Sequence, residues 1–589
     1  MISYTIAMPA PHSHLFHVRI DLTRAETGEV LLSLPAWTPG SYMIREFARH
    51  VQEFHAVDGD GAPLQWRKVR KDCWQVDAGT ASRVVVSYKV YAFDLTVRTS
   101  HLDGSHGYFN GSNVFMYVHG HTCEPLTLHV DPPAGWRVTT GLTPLPPDPS
   151  RPQRASFQAA DYDELVDCPV ECGTHRLLTF TVDDIPHHIA IWGYGNEDET
   201  RLLADTKRIV EIQRDFFGGL PYRDYTFIIH LTDGRGGGLE HRNSATNMVD
   251  RWTFSDQYER YLSLTSHELF HAWNVKRLRP AVLGPFDYQN ENYTRLLWLM
   301  EGATSYYDDL LLVRAGLMSE ERYLQKLAEE IVQLQSQPGR RLQSLEQSSF
   351  DAWIKFYRPD EHSINSSISY YLKGALVCWI FDMAIRARTN GERSFDDVMG
   401  YLYQRYPITG PGIPEEGAVL AAIETIGGTD GGLRELYQRY VSGVDELDYA
   451  AAAAVVGLEP RWQYRRPRAD GQPPAWLGIN WRKQGERTLV ASVRSDGPAY
   501  EAGIYANDEL VALDGWRVNE ERLNQRLLER RPGDTVRLTL FRGDALIDVA
   551  VTLAAAPYDM LSLVPVAAPT ADQIRMRAAW LGQGERAHS

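Results

Sequence analysis

The sequence predicts a multidomain α+β protein: a β-rich N-terminal domain, a middle region that joins an α/β lobe to a helical one, and a smaller C-terminal domain. Three observations carry this reading. At 589 residues the chain is too long for one hydrophobic core. Its first 170 residues are written in β-branched and aromatic runs separated by Gly, Pro and Asp, whereas residues 292 to 454 carry the apolar spacing of helices. Between them, Ser266-His267-Glu268-Leu269-Phe270-His271-Ala272-Trp273 sets an H-E-x-x-H motif on an apolar helical run.

Taken in order, Arg83 to Phe93, Asn113 to Val118 and Leu126 to Val130 read as strands of a β-sandwich or β-saddle domain over residues 1–170. Within it, Pro35 to Met43 is a turn-rich segment with two aromatics, read as a hairpin or as a loop reaching toward another domain. Residues 171–458 form the middle region. Ile189 to Trp192 and Tyr225 to Leu231 read as strands, and Glu199 to Phe217 repeats apolar pairs at helical spacing. Helices are then expected over Leu296 to Ala315, Ser319 to Leu334, Ser369 to Ala387 and Phe395 to Tyr403. Residues 459–474, rich in Pro and Arg and without periodicity, read as a linker. Residues 475–556 form the C-terminal domain, and 557–589 a tail with one helix and a frayed end.

The chemistry concentrates on the motif. Histidines four apart on a helix share one face, so His267 and His271 can reach one tetrahedral metal ion. Glu268 stands beside them, where a carboxylate can take a proton from a metal-activated water. A third ligand is needed. Glu301 is the one acid in the otherwise apolar run Arg295 to Tyr307, and a carboxylate buried there must be paired, protonated or bound to a cation. A metal would satisfy it, and so would an arginine. Gly236 to Glu240 follows a strand, and Gly237 and Gly238 let a backbone lie close to a bound peptide.

Composition narrows the field. Hydrophobic content of 43% and charged content of 23% are those of a folded globular chain. A net charge of −16 argues against nucleic acid as a partner, because phosphate binding needs a concentrated basic face. Five scattered cysteines do not make a disulfide framework, and Cys168-Pro-Val-Glu-Cys172 reads as buried thiols rather than half of a metal site. No basic stretch followed by a long apolar one opens the chain, and no uninterrupted apolar run spans a membrane, so the expectation is a cytoplasmic protein.

Two resemblances add to this. Trp476 to Ile479, Gly497 to Ala499, Ala502 to Ile504, Leu513 to Gly515 and the helical Asn519 to Arg530 resemble, in order, a PDZ domain of the bacterial protease-associated type. That implies a loop, Leu477, Gly478 and Ile479, whose amides grip a peptide carboxylate while the peptide adds as a strand. A domain that only packs on the rest is the alternative.

With His267, Glu268, His271 and Glu301 upstream, the whole chain resembles the PDZ-bearing glycyl aminopeptidases, a gluzincin family of zinc metallopeptidases. Trp37-Thr-Pro-Gly-Ser-Tyr42 matches that family's N-terminal signature, and His267 to Pro280 with Glu301 to Tyr307 match its metal site. The resemblance implies a thermolysin-like catalytic domain, one zinc per chain held by His267, His271 and Glu301, peptide substrates with a free N-terminus, and a preference for a small first residue such as glycine or alanine. It further implies that Glu240 holds the substrate's α-ammonium, although Leu239 and His241 depart from the Met and Asn of the G-x-M-E-N strand. Tyr371, in a stretch similar to Y-x-K-G, would donate to the tetrahedral intermediate, with Tyr370 as the alternative register. The competing readings are a PDZ-directed zinc endopeptidase, a hydrolase of non-peptide substrates, and a non-catalytic peptide-binding scaffold.

Overall fold

The computed structural model describes residues 2–583. The chain forms two compact units. The first takes residues up to Tyr293 with Tyr307–Leu317 and Tyr403–Ile413; the second takes Thr294–Tyr306, Met318–Leu402 and the chain from Pro414 onward.

The first unit opens with a seven-stranded sheet in the order Thr143–Pro144, Ala155–Ala159, Leu126–Asp131, Ile2–Ala7, Leu15–Thr23, Arg83–Tyr91, Val51–Asp58. Period-two patterning sets its faces: Phe16, Val18, Ile20 and Leu22 are buried, and the residues between them are not. A four-stranded sheet containing Glu29–Ser33 and Cys73–Asp77 lays Leu32, Trp74 and Val76 into the same hydrophobic cluster, which makes this part a β-sandwich. Two local readings are corrected here. Asn113 to Val118, expected as a strand, is a helical turn at Gly111–Val114 followed by the two-residue strand Tyr117–Val118. Val114, Phe115 and Met116 are wholly buried, so interior packing rather than strand pairing accounts for their apolar character. Pro35 to Met43 is not a hairpin; one bridge between Thr38 and Ser41 closes a turn.

A five-stranded sheet follows in the order Arg176–Val182, Ile185–Trp192, Tyr225–Thr232, Ser244–Asp250, Gly237–Glu240. Tyr225–Thr232 pairs in parallel on both sides and is buried along its length, as a central α/β strand must be. Gly237–Glu240 is the outermost strand, antiparallel to Ser244–Asp250. The expected helix Glu199–Phe217 is present. Asp198 caps its start by accepting from the Thr200 and Arg201 amides, and Gly218 at φ 78° ends it in the left-handed region.

The second unit is helical and then β. Helix Glu320–Gln335 buries Tyr323, Leu324, Leu327, Ala328, Ile331 and Leu334, an i, i+3, i+4 stripe. Tyr370–Arg388 is a core helix. The run Ser363–Arg388 is apolar and long enough by composition to cross a membrane, but 83% of its apolar window is buried inside the protein. The C-terminal sheet of Ile479–Gln484, Arg487–Val493, Glu509–Leu513, Thr535–Arg542 and Ala545–Thr552, with helix Glu520–Leu528, encloses its own core. Asn365 ties this domain to the helical part: its side chain donates to Val493 O and accepts from the Ser495 amide, both at 2.8 Å.

Two readings of the chain's last part change. The stretch expected as a linker, 459–474, begins as strand Leu458–Gln463, paired antiparallel with Met560–Pro565. The tail is therefore structural. Its helix Ala571–Trp580 buries Trp580 completely, and the indole donates to Tyr306 Oη at 2.9 Å, which in turn donates to Asp382 at 2.6 Å. Only residues 584–589 of the expected frayed end lie outside the described residues. All five cysteines are free, with Cys168 and Cys172 buried and Cys123 exposed.

Replacing Trp580 with Ala leaves a cavity and removes a hydrogen bond from Tyr306. The expected cost is about 3–5 kcal/mol, seen as a lower melting temperature of the helical unit and faster proteolysis of the C-terminal segment. A melting curve unchanged from the parent would mean that this helix does not hold the unit together.

Candidate metal centre

The H-E-x-x-H motif lies on helix Tyr258–Phe270, with His271 at its C-cap still in right-handed geometry. Tyr261, Leu262, Thr265, Leu269 and Phe270 face the interior and anchor the helix. Ser266 locks it further, its hydroxyl donating to Asp308 O at 2.8 Å while its carbonyl accepts from Gln213 at 2.8 Å. The two imidazoles lie 4.8 Å apart, centroid to centroid, at 83°. Each is held from behind. His267 Nδ1 sits 3.0 Å from the Asp308 carboxylate, and His271 Nδ1 2.8 Å from Asn274 O. With Nδ1 carrying the hydrogen in both, each ring keeps its Nε2 lone pair for a metal.

The turn that supplies Asn274 O is strained. Val275 adopts φ 117°, which a β-branched residue rarely takes. It is held there by hydrogen bonds from Lys276 N to His271 O at 3.1 Å and from Leu278 N to Trp273 O at 2.8 Å.

Glu268 and Glu240 are both buried, and with His271 they bring ligand-type atoms within 4.8 Å of one another. Two glycines make room for them. A methyl group on Gly238 would overlap the Glu268 carboxylate, so strand Gly237–Glu240 passes directly against that side chain. A methyl on Gly40, at φ 86°, would lie 2.6 Å from one Glu240 oxygen and 2.7 Å from the other. The turn in Trp37 to Tyr42 is thus a wall of the Glu240 pocket. It is fastened by the buried Trp37, whose indole donates to Asp287 O at 2.9 Å. Glu240 Oε1 is buried and has no hydrogen-bond partner among the described residues. His241 turns away to Asp167, 3.2 Å distant, which also binds Lys276 at 2.7 Å. Although burial pushes the Asp167 carboxyl up, the Lys276 ammonium and the hydrogen bond to His241 hold it well below the usual range.

Strand Gly237–Glu240 leads at its Gly237 end into a cleft of about 500 Å³, lined by Gly236, Gly237, Met248, Trp252, Thr253 and Arg260.

The second unit carries the other expected residues. Glu301 joins helix Leu297–Met300 to helix Gly302–Arg314 in right-handed geometry, with its amide on Leu297 O at 2.7 Å, and its side chain is buried. This run crosses helix Tyr370–Arg388 at two glycines: a methyl on Gly302 would fall 2.6 Å from Gly374 Cα. The close crossing brings Glu301 near Tyr371. Burial first, then the Glu301 carboxylate, raises the Tyr371 phenol well above its ordinary pKa, so it is protonated at neutral pH. Phe356 stacks on Tyr371 at 5.3 Å and 23°. In the C-terminal domain, Gly478 at φ 79° packs on Gly497, Leu477 O accepts from the Ala499 amide at 3.0 Å, and Ile479 begins the edge strand.

Asp308, Asn274 and Gly40 are the functional residues that the sequence reading missed. Asp308 had a signal, because it stands seven residues after Glu301 on the same helical run. Asn274 acts through its carbonyl, and Gly40 by lacking a side chain, so neither role shows in residue type.

Three family models match in order: the Peptidase M61 N-terminal domain over residues 3–174, M61 glycyl aminopeptidase over 260–377, and the PDZ domain over 475–553. An aminopeptidase N family protein from Idiomarina loihiensis shares 31% identity, with 99% of this chain and 100% of that chain covered at a TM-score of 0.91. A variant of the M1 zinc metallopeptidase of Deinococcus radiodurans, bound to a Tyr-Ser-Ala substrate, shares the fold at 17% identity, covering 76% of this chain and 94% of that one at a TM-score of 0.50. A probable periplasmic DegP-like serine endoprotease of Brucella suis is 39% identical over 72 residues, and the match spans 12% of this chain and 14% of that relative.

Removing the carboxylate behind His267 by Asp308→Ala is expected to weaken metal binding about 10- to 100-fold, measured by competition with a chromophoric chelator. Unchanged affinity would show that the ring is oriented by something else.

Proposed function

The chain belongs to the M61 glycyl aminopeptidase family and is a metallopeptidase, and from that premise we propose that it removes a small N-terminal residue, glycine foremost, from peptides with a free amine. The observation that carries the exopeptidase reading is Glu240 Oε1, a buried carboxylate oxygen without a hydrogen-bond partner among the described residues, beside Glu268 and His271. A buried carboxylate needs a cation or a donor, and a substrate α-ammonium supplies both.

The donor chemistry of His267 and His271, each with Nδ1 tied back, fits zinc, and Glu301 is the proposed third ligand. Supporting it, Glu301 and Asp308 stand seven residues apart on one helical run, hence on one face, and Asp308 holds His267. When bound, zinc polarises the scissile carbonyl and makes water a better nucleophile at neutral pH.

The chain's own groups do the rest. Glu268 accepts the proton of the attacking water and delivers it to the leaving amine. The protonated Tyr371 phenol donates to the substrate oxygen as it gains charge. Glu240 anchors the amine and the edge strand Gly237–Glu240 aligns the peptide backbone, so that residues beyond the cut bond run toward the cleft at Gly237. The wall at Gly40 leaves little room around the Glu240 carboxylate, which supports a small first residue. In the C-terminal domain, Leu477, Gly478 and Ile479 form the proposed carboxylate loop for a peptide ligand.

Glu268→Gln is expected to keep its metal and lose about 10²- to 10⁴-fold in kcat; retained turnover would refute its role as base. Glu240→Ala is expected to lower kcat/KM about 10- to 100-fold on free glycyl-p-nitroanilide relative to N-acetylated substrates. Equal losses would remove the amine-binding assignment. Across a panel of aminoacyl-p-nitroanilides, cleavage should stop on chelation, return with zinc, and be fastest for Gly or Ala. Cleavage of blocked peptides at internal bonds would establish an endopeptidase instead, and no cleavage by metal-loaded protein would favour the scaffold.

A further inference from the structure

The first unit holds a second convergence of metal-binding side chains, apart from the H-E-x-x-H helix and unused by the proposed reaction. Glu171, on strand Val170–Gly173, is wholly buried, and three imidazoles turn toward its carboxylate. His106 Nδ1 lies 3.0 Å from Oε1, His230 Nε2 2.9 Å from Oε2, and His175 Nδ1 4.0 Å from Oε1, all with side chains 0% exposed. Ligand atoms of His106, Glu171 and His230 fall within 4.8 Å of one another. Among the described residues no lysine or arginine pairs with Glu171, so with neutral rings the cluster keeps one negative charge out of water.

A hydrogen-bonded network without metal explains only part of this. His106 and His230 can each place an N–H on one Glu171 oxygen, which satisfies the carboxylate. His175 is then left over, because its Nδ1 is buried, lies 4.0 Å from the carboxylate and has no hydrogen-bond partner among the described residues. A central cation would use all three rings in the tautomers their far sides favour. His175 Nε2 lies 2.7 Å from Thr139 Oγ1 and His106 Nε2 lies 3.0 Å from His101 Nδ1, so both can donate outward and turn a lone pair inward. His230 Nδ1 has no partner among the described residues in either arrangement and does not discriminate. Trp192 stacks on His106 at 3.7 Å, fixing that ring.

We infer that His106, His175, His230 and Glu171 bind a divalent first-row transition metal, zinc foremost, as a structural site separate from the peptidase centre. Four protein ligands closed to solvent leave no open coordination position, which is the setting of a structural rather than a catalytic ion, and imidazole with carboxylate suits zinc. The ligands come from strand His106–Phe109, from Val170–Gly173 and the turn after it, and from the central strand Tyr225–Thr232. The ion would thus clamp the end of the β-rich domain to the α/β sheet.

The test uses the full-length chain with the peptidase ligands removed, His267→Ala with His271→Ala, so that the cluster itself is untouched. Expressed in zinc-supplemented medium and passed through a chelating resin, this variant should retain about one equivalent of zinc per chain. Exchanged into cobalt, it should show visible d–d absorption. Adding His175→Gln and His230→Gln should abolish both signals. If that protein fails to fold by circular dichroism, His175→Gln alone, which breaks no hydrogen bond of Nδ1, should weaken cobalt binding at least about tenfold. Less than about a tenth of an equivalent of metal in the first variant would overturn the assignment. So would metal that persists when His175 and His230 are replaced.

Discussion

A carboxylate taken out of water must meet positive charge or hydrogen-bond donors, and this chain withdraws several of them into the first unit. Asp167 meets Lys276 and His241. Glu171 meets three histidines. Asp308 meets His267 at Nδ1. Glu240 keeps an oxygen without a hydrogen-bond partner among the described residues, next to the motif helix. A buried carboxylate oxygen left without a donor is a place where a ligand's charge can be accommodated.

The second theme is distance between backbones. Gly238 lets the edge strand touch Glu268, Gly40 lets a turn of the β-sandwich touch Glu240, and Gly302 against Gly374 lets two helices cross closely enough for Glu301 to act on Tyr371. In each case the functional side chain is placed by the absence of another. A Cβ at these positions would force backbone shifts, and shifts of a few tenths of an ångström matter wherever side chains must be held in a fixed alignment.

The turn at Val275 shows how the site stores constraint. Its positive φ is costly for a β-branched residue, yet flanking hydrogen bonds hold it, and the result is a carbonyl aimed at His271. The same economy appears at the chain's end, where Trp580 secures Tyr306 and, through it, Asp382.

Periodicity carried most of the fold. Helices Glu199–Phe217, Glu320–Gln335 and Tyr370–Arg388 and strands Arg83–Tyr91 and Leu126–Asp131 fall where residue spacing put them, because long amphipathic or alternating runs answer directly to burial. Spacing also put His267 and His271 on one helical face beside Glu268. It failed at Asn113 to Val118, where full burial erases the alternation that separates strand from helix. It failed again at Leu458–Gln463, whose partner strand lies about a hundred residues away and leaves no local mark. By itself the sequence determined the H-E-x-x-H spacing, the donor types it offers and the order of domains, since those depend on side-chain chemistry and local repeat. Only the tertiary structure decided which nitrogen of each histidine is tied back, which turn walls in Glu240, and that His106, His175 and His230 share Glu171, because these depend on contacts between segments far apart in the chain.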